Sequence, residues 1–342
     1  MIKPIFKQSN FVLCDVPVPD GYPQSQTHCG IFLHASKYYL TTSPYPNPRY
    51  SKFAIYFRAA IRKLTNGLLF KTYRGEDYEN PCIYIGHSNS IPTMFRIVGD
   101  CPLMNKPIDT YGLGSYCSDP DLFIEGDDIY VLNRESVRMS NIGTPQERYI
   151  TSTYVIKFNL FEEKVQNKSI TKLFDEQHAS PCLTKYQNSY IYTCIETNSY
   201  NTGESCKALY FRKSDRVDCG WSEKKEIKID KGIYEPWHMS LFHYKGVLYT
   251  IIACVKQGES HRCWQMLGEF SKDLTNLKIY QTPLTDYKSY RGSACVREDG
   301  EFILYSTTVH EKIKGGKSVD GREVIMAHMS FGNLLKLLRE NE

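Results

Sequence analysis

Five segments of the sequence share one pattern, and this repeat constrains the fold more than any other feature. Each segment begins with a short polar or Pro-containing stretch and continues as an apolar strand. It then turns tightly and returns as a strand rich in aromatic and aliphatic residues. Such alternation on both sides of a turn predicts a β-hairpin. The segments are residues 28–40, 119–131, 180–192, 238–249 and 293–304.

The hairpins recur at nearly regular intervals. The gaps between the central residues of successive second strands are 91, 61, 57 and 55 residues, measured from Tyr39, Tyr130, Ile191, Leu248 and Ile303. A period of about 55–60 residues fits one four-stranded propeller blade per repeat. We therefore predict an all-β fold, a five-bladed β-propeller of four-stranded antiparallel blades. Two β-sandwich domains are the alternative, since they also contain closely spaced hairpins.

The repeat also predicts how the two ends of the chain are used. The fifth repeat has no fourth strand of its own, so we expect the N-terminal segment 11–16 to supply it. Residues 333–339 read as a short C-terminal helix. The long first gap indicates an insertion at about 47–80 in the first blade. No linker rich in Gly, Ser or Pro divides the chain, which favours a single domain over residues 1–342.

Composition excludes several classes of protein. The chain is 41% hydrophobic and 13% aromatic, with a net charge of +4, which is not the composition of a disordered segment. Acidic and basic residues are interspersed, so we expect no nucleic-acid partner. The N-terminus lacks the apolar run of a signal peptide and no stretch is long enough to span a bilayer, so we expect a cytoplasmic protein without a membrane partner. The sequence does not define an oligomeric state.

The predicted propeller also predicts a site. The first strand of every blade lines the central channel, so residues near the beginnings of the five hairpins converge although they are distant in sequence. An aromatic ring in such a set can stack on a sugar, while charged groups bind hydroxyls or move protons. The converging residues are His28, Asp119, Asp121, His178, Ser180, Glu235, Trp237, His238, Tyr290 and Arg291.

One hairpin carries a family resemblance. Residues 118–130, Ser-Asp-Pro-Asp-Leu-Phe-Ile-Glu-Gly-Asp-Asp-Ile-Tyr, resemble the Asp-Pro hairpin of the five-bladed propeller glycosidases, the superfamily that contains glycoside hydrolase families 43, 32, 117 and 130. The repeat extends over most of the chain, but only this hairpin matches closely. The resemblance implies a carboxylate base or nucleophile in blade one, an Asp in blade two and a Glu acid in blade three. Asp119 matches the blade-two Asp, whose implied role is to orient substrate and tune the acid.

The other two positions depart from the family pattern. His28 stands where blade one should carry Asp-Pro, and His178 stands near the place of the blade-three Glu. Glu235 is then the best remaining proton donor, with Glu176 as its rival, and an imidazole can replace a missing carboxylate in proton transfer. We therefore expect catalysis by Asp119, Glu235 and His238, and substrate binding by His28, Asp121, His178, Trp237 and Arg291.

These residues predict a glycoside hydrolase-like enzyme that acts on an oligo- or polysaccharide at the central channel. The alternatives are a non-catalytic carbohydrate-binding propeller, since the blade-one carboxylate is missing, and a glycan phosphorylase or transferase, with Arg291, His28 and His178 binding phosphate. The resemblance allows a divalent cation in the channel. No ligand set in the sequence requires one, so we expect no cofactor and no metal.

Overall fold

The structure is a computed structural model. It describes residues 3–20, 22, 25–45, 79–86, 90–105, 115–140, 148–176, 178–196, 206, 208–257, 263–285, 289–314 and 317–341, with residues 57, 60, 61, 64 and 65. The predicted insertion at 47–80 lies almost entirely outside the described residues.

The described chain is built mainly of β-strands, as predicted. A 3₁₀ turn (Gln8–Asn10) precedes the first strand, and helix α1 (Phe331–Glu340) follows the last one. The strands are β1 (Val12–Leu13), β2 (Gln26–His34), β3 (Lys37–Pro44), β4 (Cys82–Gly86), β5 (Phe95–Ile97), β6 (Tyr116–Glu125), β7 (Asp128–Ser140), β8 (Arg148–Phe161), β9 (Lys164–Phe174), β10 (His178–Tyr186), β11 (Ser189–Glu196), β12 (Ala208–Ser214), β13 (Lys225–Asp230), β14 (Tyr234–Tyr244), β15 (Val247–Lys256), β16 (Cys263–Phe270), β17 (Asn276–Ile279), β18 (Ser289–Val296), β19 (Glu301–Lys314) and β20 (Lys317–Ser330).

Each predicted hairpin is a pair of adjacent antiparallel strands. The pairs begin antiparallel four-stranded sheets in the orders β2-β3-β4-β5 and β6-β7-β8-β9. An eight-stranded sheet contains two further such runs, β10 to β13 and β14 to β17, joined by a parallel pairing of β13 with β17. The last sheet has the order β1-β20-β19-β18. Its edge strand is the N-terminal one, with Val12 opposite Met326 and Leu13 opposite Ile325, as expected for segment 11–16.

The first strands of these runs lie side by side in a closed circuit. β2 contacts β6, β6 contacts β10, β10 contacts β14, β14 contacts β18, and β18 returns to β2. Five apolar clusters fill the spaces between neighbouring runs, each with buried residues from two of them. Burial of these apolar faces is the main stabilising contribution to such a sheet arrangement. The circuit brings five distant parts of the sequence to one axis.

Helix α1 covers the cluster between the last two runs. Its buried residues are Phe331, Leu334 and Leu338, spaced three and four apart on one face as expected for a half-buried helix. The Phe331 ring stacks on Phe302, with centroids 5.5 Å apart, and meets Tyr249 edge-on at 5.1 Å. The predicted C-terminal helix is confirmed.

Candidate functional site

Every first strand is interrupted by a β-bulge near its beginning. The pairing register shifts between Thr27 and Gly30, Ser118 and Asp121, Ala179 and Cys182, Pro236 and His238, and Ser289 and Gly292. A bulge bends the strand and re-aims the side chains that it carries. Because the five strands surround one axis, the five bulges lie around a common centre.

Three of the bulged residues adopt backbone conformations that are rare for side-chain-bearing residues. The φ angles of His28, Asp119 and Ser180 are 57°, 55° and 52°. Such left-handed residues cost free energy, of the order of 1–3 kcal/mol each, and cluster where geometry serves function. His28 and Asp119 occupy corresponding positions of neighbouring strands, and the conformation brings their side chains together.

Asp119 is the centre of a buried cluster. Its side chain is 0% exposed, and Oδ1 lies 3.0 Å from His28 Nδ1 and 3.5 Å from His238 Nδ1. Oδ2 lies 3.0 Å from Arg134 Nε and accepts a hydrogen bond from the backbone N–H of Ser180 at 3.2 Å. The structure thus brings together three of the predicted site residues, His28, Asp119 and His238, from three different sheets.

The charges of the cluster differ between its members. Burial alone would raise the pKa of Asp119, but Arg134, His28 and His238 outweigh it and hold that pKa well below the usual range. Burial lowers the pKa of His238 well below its usual value against the opposing effect of Asp119. Burial also opposes protonation of His28, yet Glu79 and then Asp119 raise its pKa above 6.5. Without a bound ion, these directions favour the charged forms of Asp119 and His28 and the neutral form of His238.

Glu79 was not predicted from the sequence. It is buried, and its Oε2 lies 3.4 Å from His28 Nε2, so the imidazole stands between the carboxylates of Glu79 and Asp119. Glu79 lies in a loop ahead of β4 and carries no motif that marks it. Arg134 could have been found, because the pairing of the 119–131 hairpin places it opposite Ser118, next to Asp119.

The cluster has the chemistry and spacing of a cation site. One atom each from His28, Asp119 and His238 lies within 4.8 Å of the other two. The contacts of 3.0 and 3.5 Å lack hydrogen-bond alignment, so His28 Nδ1, His238 Nδ1 and Asp119 Oδ1 are buried without a hydrogen-bond partner among the described residues. Bonds of about 2.0–2.2 Å to one ion place neighbouring ligand atoms about 3.0–3.5 Å apart. Two imidazoles and one carboxylate form a known donor set for divalent transition metals.

Aromatic residues line the side of this cluster. The Tyr290 ring contacts His28 and His238, with centroids 5.0 and 4.7 Å apart, and Trp237 meets His238 edge-on at 5.6 Å. Trp237 and Tyr290 are both partly exposed. The predicted stacking residue Trp237 therefore lies next to the buried cluster, together with Tyr290, another residue of the converging set.

Arg291 and Asp121, predicted to bind substrate, are located inside the ring of first strands. Arg291 is 0% exposed; its Nη1 donates to the carbonyl of Pro120 at 3.0 Å and its Nη2 to Asp121 Oδ1 at 3.2 Å. The other Asp121 oxygen accepts the Leu183 N–H at 3.0 Å. Burial raises the pKa of Asp121 to about 6 despite Arg291. The two residues join three first strands, β6, β10 and β18, and their polar atoms are engaged within the protein.

The structure does not bring Glu235 into the Asp119 cluster. Its carboxylate is 24% exposed and accepts hydrogen bonds from Lys231 Nζ at 2.6 and 2.8 Å, and from Gln257 at 3.5 Å. Among the described residues, the contacts of Asp119 and those of Glu235 share no residue. Asp119 contacts His238, which follows the bulge at Trp237, whereas Glu235 is engaged with Lys231, so the two carboxylates expected to act together have separate partners.

His178 belongs to a second polar group near the same end of the strands. Its Nδ1 lies 2.8 Å from Glu176 Oε2, and Arg212 donates to the other oxygen of Glu176. Burial lowers the pKa of His178 against the opposing charge of Glu176. Glu176, the rival proton donor, is 25% exposed and held by two cationic or polar neighbours.

Comparison with known proteins supports the fold. No protein family model and no curated protein matches the sequence. Among solved structures, an N-acetylgalactosamine deacetylase from F. plautii is 12% identical, with a TM-score of 0.68 over 98% of this chain and 97% of its own. A xylan β-1,4-xylosidase from Bacillus halodurans C-125 is 14% identical, with a TM-score of 0.62 over 90% of this chain and 53% of its own. RS223 β-xylosidase is 10% identical, with a TM-score of 0.58 over 89% and 92% of the two chains.

These matches show that the chain shares its fold with solved structures of carbohydrate-active enzymes, as the predicted resemblance implies. Several further matches are proteins of glycoside hydrolase family 43. At sequence identities of 8–14%, these matches show a shared fold alone. Within the described residues, no helix is both long and apolar enough to cross a membrane.

Proposed function

We propose that the protein is a carbohydrate-active hydrolase on a single five-bladed β-propeller, with the Asp119 cluster as its reaction centre. The closed circuit of five first strands, each beginning a four-stranded run, supports the blade count. The convergence of His28, Asp119 and His238 at one point carries the functional proposal. In this reading residues 1–342 form one domain that binds a saccharide at the mouth of the channel.

The donor set favours hydrolysis assisted by a divalent cation over cleavage by two carboxylates. A cation held by His28, Asp119 and His238 would supply Lewis-acid polarisation of a carbonyl and a lowered pKa for water. A two-carboxylate glycosidase needs its acid and its partner about 5–9.5 Å apart on either side of the scissile bond. Asp119 is fully enclosed by His28, His238, Arg134 and the Ser180 N–H, and Glu235 is engaged with Lys231.

The residues of the chain have distinct tasks in this proposal. Asp119 is held ionised by Arg134, and His238 is neutral, so each offers a lone pair. Glu79 Oε2 lies 3.4 Å from His28 Nε2, and this carboxylate favours the tautomer with the proton on Nε2 and the lone pair on Nδ1, facing the centre. Trp237 is partly exposed, so a sugar can stack on its ring, whereas the Tyr290 ring contacts His28, His238 and Arg322.

The reaction that fits these parts best is removal of an acyl group from a sugar. One solved structure that matches this chain over almost its entire length is an N-acetylgalactosamine deacetylase. Hydrolysis of an amide or ester needs a polarised carbonyl, whereas glycosidic cleavage needs a protonated glycosidic oxygen. Glycosidic cleavage is the second candidate. Its support is Glu176, a partly exposed carboxylate near the same mouth, held in place by Arg212 and His178.

Two products distinguish the candidates. The protein is stripped with a chelator and dialysed against zinc, manganese or calcium, then incubated with acetylated oligosaccharides and with their deacetylated counterparts. Acetate release that requires a cation supports deacylation. Reducing ends released without a cation support a glycosidase. Saccharide binding without either product contradicts the enzyme proposal and leaves a carbohydrate-binding propeller.

A further inference from the structure

Arg322 is a cation at the edge of the Asp119 cluster. Its guanidinium carbon lies 3.9 Å from the ring centroid of Tyr45 and 4.2 Å from that of Tyr290, so the group contacts two tyrosine rings. Tyr290 in turn contacts the rings of His28 and His238. Tyr290 therefore contacts both Arg322 and the two histidines of the candidate reaction centre.

Arg322 differs from the other arginines around the centre in its partners. Among the described residues, Arg134, Arg212 and Arg291 each have a carboxylate within 4 Å, whereas the guanidinium of Arg322 has a single hydrogen-bond acceptor, Thr27 Oγ1 at 2.7 Å. Its Nε is buried and has no hydrogen-bond partner in the described part of the chain. The positive charge is held in place without a counter-ion from these residues.

The N–H groups of the guanidinium lie along its planar edge, and Tyr45 and Tyr290 hold the group at cation–π distance. That edge matches the paired oxygens of a carboxylate or a sulfate. The main chain of Arg322 is fixed as well, since its N–H donates to Ser25 Oγ at 2.8 Å. A pre-oriented cation loses little conformational freedom when it binds an anion.

We propose that Arg322 recognises an oxyanion substituent, a carboxylate or a sulfate, on the saccharide that occupies the site. The preferred substrate is then an acidic sugar and not a neutral one. This inference rests on the proposed function, because it concerns the ligand of the same site. It adds the class of sugar and the residue that selects it.

The test compares three trisaccharides that differ only at C6 of one residue, which carries a hydroxymethyl group, a carboxylate or a sulfate. Their binding to the full chain is measured by titration calorimetry at low and at high salt. Arg322→Gln removes the charge. Arg322→Lys keeps the charge but removes the paired N–H donors of the guanidinium. Arg216→Gln is the matched control, since Arg216 is an exposed cation paired with Asp218.

We expect the wild-type protein to bind at least one charged trisaccharide about 10- to 100-fold more tightly than the neutral one, the range of a charge-assisted hydrogen bond. Arg322→Gln should abolish this difference. Arg322→Lys should retain part of the preference, and Arg216→Gln all of it. The carboxylate and sulfate arms show which oxyanion is selected.

Equal binding of neutral and charged trisaccharides by the wild-type protein would overturn the inference while leaving the proposed function intact. A preference that survives in Arg322→Gln would overturn the assignment to Arg322. If none of the three binds and no acetylated saccharide is turned over, the proposed function itself fails. The wild-type comparison and its salt dependence decide the question even if a variant does not fold.

Discussion

Asp119 Oδ1 lies 3.0 Å from His28 Nδ1, and the two residues occupy corresponding bulged positions of neighbouring first strands. Both have φ near 55°, a conformation that directs their side chains to the shared centre. The same relationship extends to His238, whose strand is bulged at Trp237. One backbone feature, repeated around the ring, thus assembles donors that are up to 210 residues apart in the sequence.

Replacement of Asp119 by Asn should abolish function. The amide keeps the shape but removes the charge that attracts a cation and balances Arg134. We expect cation affinity to fall by at least about 100-fold and turnover of acetylated saccharides to be lost, measured by calorimetry and acetate release. Asp218→Asn, at an exposed pair with Arg216, serves as control. Full activity in Asp119→Asn would remove the cluster from the mechanism.

Replacement of Glu235 by Gln should leave turnover nearly unchanged. Its carboxylate is engaged with Lys231 at a partly exposed pair, and such pairs contribute only about 0–1 kcal/mol to stability. We expect kcat/KM within about three-fold of wild type. A loss comparable to that of Asp119→Asn would restore Glu235 as the acid expected from the sequence. Glu176→Gln, assayed in parallel for reducing ends, tests the rival carboxylate.

Glu79 is a positioning residue in this proposal, and its replacement by Gln should weaken the site without destroying it. Loss of the partner of a ligating histidine typically costs about 10–100-fold in metal affinity. We expect that loss in zinc or manganese titrations, together with a lower pKa of His28 by NMR, since Glu79 is the largest electrostatic effect raising it. Glu79→Asp should restore part of both. An unchanged His28 pKa would rule out the contact.

The metal-free protein should lose stability as pH rises above neutrality. The pKa of His28 is raised in the folded state, so its contribution to the free energy of unfolding is complete below its unfolded pKa of about 6.5 and is lost as pH increases through the higher folded value. Urea denaturation between pH 6 and pH 9 measures this decline. His28→Gln should flatten the profile, whereas His34→Gln should not. A profile unaffected by His28→Gln would exclude a charged His28.

The pair of Arg291 and Asp121 should contribute to folding and not to ligand binding. Removing one member leaves a buried charge without its partner, which costs about 3–5 kcal/mol. We expect Arg291→Met to lower the free energy of unfolding by that amount, and the double variant Arg291→Met with Asp121→Leu to regain much of it. Saccharide affinity of the folded double variant should equal that of wild type. Selective loss of affinity instead would show that Arg291 binds substrate.

The sequence determined the hairpins, the all-β class, the N-terminal strand that pairs with β20 and the C-terminal helix. These depend on local alternation of apolar residues, on turn residues and on spacing, which can be read without knowledge of distant contacts. It also singled out His28, Asp119 and His238, because they stand near the beginnings of first strands. It could not show that they meet, since their contact requires the closed circuit.

Tertiary structure decided which polar residues face the centre and which are buried among the strands. Each bulge changes the alternation of side chains at one point, so Glu235 turns to Lys231 while His238 turns to Asp119. Arg291 and Asp121 form a hydrogen bond although they are 170 residues apart in the sequence. Glu79 lies in a loop ahead of β4, and Arg322 lies in β20 of the last sheet. No local sequence pattern predicts that these two residues lie near the site. The local sequence determines where the strands form. Only the closure of the ring of first strands determines which of their residues lie together at its centre.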